Sequence, residues 1–130
     1  MNELTQQMIA KAAHALRHAY APYSKYSVAA CIYTSDHDFF TGVNVENSSY
    51  GLTICAESCA IAQMIASGQR LIQHIVIMAG NNELCAPCGA CRQRIFEFAN
   101  SDTQVHLCNQ TSLLKTFTIN ELLPLAFKLL

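Results

Sequence analysis

Cys88 and Cys91 are separated by two residues, a spacing that lets two thiolates at the start of a helix converge on one tetrahedral ion. On its own such a pair also fits a redox dithiol or half of a structural zinc site. A third thiolate comes from Cys55, in the run Cys55-Ala56-Glu57, which sets a carboxylate two residues further on. Three protein ligands leave the fourth tetrahedral position of a zinc ion to water, the arrangement of a catalytic rather than a closed structural site. Zinc lowers the pKa of its bound water, and a carboxylate that is not a ligand can act first as base toward that water and then as acid toward a departing amine. Glu57 is placed for this relay. The expected chemistry is hydrolytic attack on an amidine-like carbon, with one Zn2+ per chain.

Other residues compete for attention less well. Cys59 lies one helical turn past Cys55, and Cys85 sits just before the C-x-x-C pair, so spacing alone leaves a fourth thiolate ligand open. Together with Cys31 and Cys108 these are otherwise small buried hydrophobes. His14 and His18 are one helical turn apart, but no third ligand accompanies them, and a solvated helix face accounts for both. Asn44 and Glu46 pair an amide with a carboxylate, which suits the vicinal hydroxyls of a sugar and equally suits the polar end of a strand.

The elements that must position these groups follow from periodicity. Asn2 can cap a first helix whose apolar positions Leu4, Met8, Ala12, Ala15, Leu16 and Ala19 recur at helical steps, ending before Pro22. Val28 to Tyr33 and Phe39 to Val45 are β-branched and aromatic, and Thr34 to Asp38 between them is turn material, so a hairpin is predicted. After a polar loop around Asn47 to Gly51, the stretch Ala56 to Ala66 predicts a largely buried helix stopped by Gly68. His74 to Ala79 predicts a central strand ended by Gly80, and Ala90 to Ala99 a third helix introduced by Pro87 and Gly89. Val105 to Cys108 and Leu113 to Phe117 predict two more strands, and Thr118-Ile119-Asn120-Glu121 has the form of a capping box opening a short last helix. The order α-β-β-α-β-α-β-β-α points to an α/β fold, a three-layer α/β/α sandwich with a mixed five-stranded sheet.

Composition limits the partners. A length of 130 residues, 52% of them hydrophobic, is that of a single domain spanning 1–130. Only 13% of residues are charged and the net charge is -1, so no electrostatic footprint for nucleic acid is present. So apolar a small chain is expected to cover part of its surface with further copies of itself. The amino terminus has no basic segment followed by an apolar one, and no apolar run approaches the roughly 20 residues needed to cross a bilayer. A soluble cytoplasmic protein is expected, with no membrane partner. Seven cysteines, an odd number without an export signal, fit reduced thiols and metal ligands better than a disulfide framework.

Cys55-Ala56-Glu57 and Pro87-Cys88-Gly89-Ala90-Cys91 resemble the signature of the zinc-dependent nucleobase deaminases, a His or Cys followed by Ala-Glu and then Pro-Cys-x-x-Cys. The all-cysteine form is similar to the small, homotetrameric cytidine deaminases. Three further segments extend the resemblance over nearly the whole chain: Tyr20 to Tyr26, Gly42 to Asn47, and Leu122 to Phe127. It implies Cys55, Cys88 and Cys91 as metal ligands and Glu57 as the catalytic residue. It further implies that Asn44 and Glu46 bind the ribose hydroxyls, Tyr26 contacts the base, the backbone of Ala56 reads the pyrimidine oxygen, and Phe127 reaches a neighbouring subunit's pocket. The implied substrate is a cytidine-type nucleoside, deaminated in pyrimidine salvage.

Two positions depart from that pattern. The family usually has Arg where this chain has Ser58, directly after Glu57, and Gly where it has Ala29. Three thiolates on one zinc leave the unit with an excess negative charge, so another cation or the helix dipoles must compensate; Arg92 and Arg94 are the nearest candidates. Two other functions compete. A blasticidin-S deaminase resembles the chain in size and zinc motif, although Asn44-Val45-Glu46-Asn47 looks like the cytidine enzymes. A structural zinc module, from a different class, is opposed by the low charge and by the glutamate beside Cys55.

Overall fold

The computed structural model describes residues 2–129. The domain expected over 1–130 thus includes Met1 and Leu130, which lie outside the described residues. Helix α1 (Glu3–Leu16) begins where Asn2 accepts a hydrogen bond from the Thr5 N–H at 2.8 Å. It is followed by β1 (Val28–Thr34), β2 (Phe39–Val43) and α2 (Ala56–Ala66). Then come β3 (Ile72–Ala79), α3 (Gly89–Glu97), β4 (Gln104–Cys108), β5 (Leu113–Thr118) and α4 (Ile119–Leu122). The capping box is present in full, with Thr118 accepting from the Glu121 N–H and Glu121 from the Thr118 N–H.

The strands form one mixed sheet in the order β2-β1-β3-β4-β5, in which only β3 and β4 are parallel. Alternation along β1 and β3 sends side chains to two separate cores. Ala29, Cys31, Val76 and Met78 pack under Met8, Ile9, Ala12 and Leu16 of α1. Ala30, Ile32, Ile75 and Ile77 face Ala60, Met64, Ile95 and Ile119 of the other three helices. Helices thus cover both faces, as a sheet buried on two sides requires. Ala29 sits fully buried beneath α1, so the packing there accommodates its methyl.

Strand directions bring the candidate residues together. Because β2 and β3 both run antiparallel to β1, they point the same way, and both end at one edge of the sheet. The helices that follow them, α2 and α3, therefore begin at that edge. This is the carboxyl end of β2, β3 and β4, the end at which ligands bind in open α/β sheets. Gly42 makes the approach of α2 possible: a Cβ there would lie 2.4 Å from both the Ala56 carbonyl oxygen and the Ala60 nitrogen. Alanine at 42 would force β2 away from the first turn of α2, which carries Ala56 and Glu57.

Some boundaries differ from the sequence reading. β2 stops at Val43 rather than Val45, because Val45 pairs instead with Ile54 through two backbone hydrogen bonds of 2.9 Å and bridges to Tyr20. That bridge closes the loop containing a short 3-10 turn, Tyr50–Leu52, and returns the chain to Cys55. Ala19 lies beyond α1, and α2 buries one face only, through Ala56, Glu57, Ala60, Ile61 and Met64. Ser67 caps α2 and Gly68 follows with φ +96, the left-handed conformation that glycine adopts without strain.

Candidate active site

Cys55 is the N-cap of α2 and Cys88 the N-cap of α3, both in extended backbone, while Cys91 sits in the first turn of α3. Their Sγ atoms all lie within 4.8 Å of one another. A tetrahedral zinc ion about 2.3 Å from each sulfur would set the sulfurs about 3.8 Å apart, so small side-chain adjustments suffice. Among the described residues, this is the group of His, Cys, Asp and Glu side chains arranged to hold an ion. Cys59 and Cys85 are not part of it, and Cys31 and Cys108 are buried in the core under α1.

The electrostatics of the cluster suit a cation. Backbone N–H groups of Cys91 and Ala90 at the start of α3 hold the Cys88 thiol below its ordinary value. Cys91 is pushed strongly the other way by burial, with the charges of Glu57 and Cys55 adding to the effect. Acids crowded in this manner oppose one another's ionisation, and a divalent ion at their centre reverses the penalty.

Glu57, in the first turn of α2, is 5% exposed. Burial pushes its carboxyl above the usual carboxylate range, while its own backbone N–H, the Cys91 thiol and the Arg94 guanidinium pull it down. A carboxyl poised upward is suited to carrying a proton rather than to remaining a fixed charge. It borders a cavity of about 180 Å³ together with Asn44, Ala56 and the three cysteines. The N–H of Ala56, first residue of α2, has no partner within its own helix and so is available at the cavity wall.

The remaining sequence candidates divide. Asn44 is buried at the cavity, and its amide also accepts from the Val28 N–H at 3.0 Å and donates to the Tyr26 carbonyl at 2.8 Å. Glu46 lies outside the cavity lining; its carboxylate accepts from the N–H groups of Tyr23 and Ser24 at 3.0 and 3.1 Å and from the Ser24 hydroxyl. Tyr26 is 40% exposed and lies outside the residues that line the cavity. A hydrogen bond to the cavity residue Cys85, with burial, pushes its phenol up to about 12. Phe127 is 72% exposed, with its backbone tied to the Gln93 amide by bonds of 2.9 and 3.2 Å, so it is no core phenylalanine. Sequence reasoning missed Thr53 and Cys85 as cavity residues; the position of Cys85 three residues before Cys88 was the available signal.

The model for the cytidine and deoxycytidylate deaminase zinc-binding region matches residues 2–107. The chain belongs to this deaminase family. It is 40% identical over 122 residues to a cytidine deaminase of Halalkalibacterium halodurans, covering 94% of this chain and 92% of that protein. The crystal structure of cytidine deaminase from Burkholderia pseudomallei matches with a TM-score of 0.85 and 38% identity, over 98% of this chain and 100% of that one. The blasticidin-S deaminase of Bacillus cereus is a more distant relative, 31% identical over 112 residues, or 80% of this chain and 79% of that protein. Membership makes the chain a zinc-binding hydrolytic deaminase, and the three-sulfur cluster beside a buried carboxyl is the feature of this structure that fits it.

Proposed function

We propose that this chain deaminates cytidine and deoxycytidine hydrolytically to uridine and deoxyuridine with release of ammonia, the reaction of pyrimidine nucleoside salvage. The observation that carries the reading is the buried Glu57, outside the three-sulfur group but at the same cavity as those converging thiols. Cys55, Cys88 and Cys91 would hold one zinc ion per chain, which when bound makes water acidic enough to attack at neutral pH. Glu57 takes a proton from the attacking water and delivers it to the ring nitrogen, then moves a second proton to the departing amino group. The Ala56 N–H donates to the pyrimidine oxygen. Asn44 and Glu46 serve the ribose hydroxyls and Tyr26 the base edge.

The whole chain, residues 1–130, is read as one cytoplasmic domain that works as a homotetramer; among the described residues, no helix is long and apolar enough to cross a membrane. Two observations support self-association. The cavity of about 180 Å³ is smaller than the roughly 300–1,000 Å³ typical of ligand pockets. Large apolar side chains, including Tyr50, Leu52 and Ile54 in the segment leading to Cys55 and Phe127 beside Gln93, are exposed by 48% or more and would be covered by neighbouring copies. Sedimentation should return a tetramer as the active species; an active monomer would contradict this assembly.

Turnover of a panel containing cytidine, deoxycytidine, free cytosine and blasticidin S tests the substrate. The two nucleosides should be deaminated well and the free base and antibiotic poorly. Turnover of blasticidin S alone would replace the cytidine reading with that of the distant relative, and no turnover by zinc-loaded protein would favour a structural zinc module.

A further inference from the structure

Three thiolates around a divalent ion leave the unit with an excess negative charge, and Cys91 and Glu57 hold part of the surroundings away from water. The starts of α2 and α3 contribute fractional positive charge, but only within their first turns. A full cation facing the sulfurs would compensate the remainder. The residue after Glu57 provides none: it is Ser58, whose hydroxyl is shielded from solvent and has no hydrogen-bond partner among the described residues.

The two arginines of α3 have different duties. Arg92 donates from Nε to the Pro87 carbonyl and from Nη1 to the Leu122 carbonyl, both at 2.8 Å, which fastens the loop before α3 to the end of α4. Arg94 lies three residues past Cys91, on the same face of the helix. Its Nη1 points at the Cys91 sulfur from 4.0 Å, and that sulfur is its one hydrogen-bond acceptor among the described residues. Arg94 and Ser58 also line the same cavity of about 450 Å³ between α2 and α3. A long cationic side chain placed on either helix would thus start from the same cavity, from which Arg94 already reaches the Cys91 sulfur.

The geometry points to Arg94 as the positioning residue that compensates the charge of the Cys55, Cys88 and Cys91 centre, supplied by α3 across the cavity it shares with Ser58. The assignment rests on the zinc reading above. Arg94 touches no reacting atom in this role; it favours the thiolate-bound ion electrostatically. Partners of metal ligands typically contribute about 10–100-fold to metal affinity or activity.

The test uses the full-length protein and zinc competition against a chromophoric chelator, with kcat and KM measured separately and circular dichroism checking the fold. Arg94→Gln should weaken zinc binding by about 10–100-fold and lower kcat more than it raises KM. Arg94→Lys should retain most of the affinity. The double variant Arg94→Gln with Ser58→Arg should recover it, because charge returns to the same cavity from the opposite helix. A packing role would not be rescued in that way, so a double variant no better than Arg94→Gln overturns the proposal. So does an Arg94→Gln protein that binds zinc as tightly as its parent. Failure of the zinc reading itself is distinguishable: the unmodified chain would bind no zinc, and the proposal would fall with it.

Discussion

Glu57→Ala should fold and bind zinc like the parent chain yet lose activity by at least ~10²–10⁴-fold in kcat, the usual contribution of a positioned acid-base group. The size of the effect follows from where the carboxyl sits. It is 5% exposed, in the first turn of the helix that carries Cys55, and it borders the cavity that the cysteines share. No other carboxylate lines that cavity among the described residues, so there is no neighbour to take over proton transfer. Removal of the side chain also removes an acid whose burial was unfavourable, which is why the fold should tolerate it. Glu57→Gln preserves the shape and separates the proton from the packing. Metal content and kcat measured on the same preparations check the prediction. Activity within about tenfold of the parent, against the ~10²–10⁴-fold expected, would remove Glu57 from proton transfer.

Cys91→Ala should abolish both zinc retention and turnover. Cys91 is the most buried of the three ligands proposed, and its sulfur lies within 4.8 Å of those of Cys55 and Cys88. Two thiolates alone leave half of the tetrahedral sphere to water. The affinity loss should exceed the ~10–100-fold that accompanies loss of an outer partner. Cys59→Ala and Cys85→Ala are the informative companions. Both lie near the site in sequence, but neither belongs to the three-sulfur cluster, so zinc should stay at one per chain in each. Metal analysis after dialysis distinguishes these outcomes, and loss of zinc from Cys59→Ala or Cys85→Ala would mean that the ligand set has been misassigned.

The local signals in the sequence were sufficient wherever the deciding interaction is itself local. Asn2 caps α1 through the nearby Thr5, α2 spans the predicted Ala56–Ala66, and the Thr118 and Glu121 box forms as its residues suggest. Errors arose where a distant partner intervenes. Val45 continues the β-branched pattern of β2, but Ile54 captures it, and that pairing belongs to a loop whose path no periodicity describes. The third helix ends at Glu97 rather than Ala99, and β3 starts two residues earlier than the apolar run suggests, at Ile72, whose N–H donates to the Phe98 carbonyl.

The site divides along the same line. The convergence of Cys55, Cys88 and Cys91 beside Glu57 was legible because Cys55-Ala56-Glu57 and the C-x-x-C pair are short motifs. The choice between Arg92 and Arg94 was not, since Arg92 is engaged by the carbonyl of Leu122, thirty positions away in sequence. Glu46 illustrates the reverse case. Its residue type suits a sugar, but its carboxylate is held by Tyr23 and Ser24, so any contact with ribose has to be made while it braces that turn.

The central claim is zinc-dependent hydrolytic deamination, and the most direct test is to follow the ultraviolet absorbance of cytidine while assaying released ammonia. The zinc-loaded protein should convert cytidine to uridine with one ammonia per uridine formed. Turnover should stop when a chelator strips the metal and resume when zinc is returned. Unchanged cytidine with zinc fully bound at Cys55, Cys88 and Cys91, or turnover that persists after the metal is gone, would contradict it.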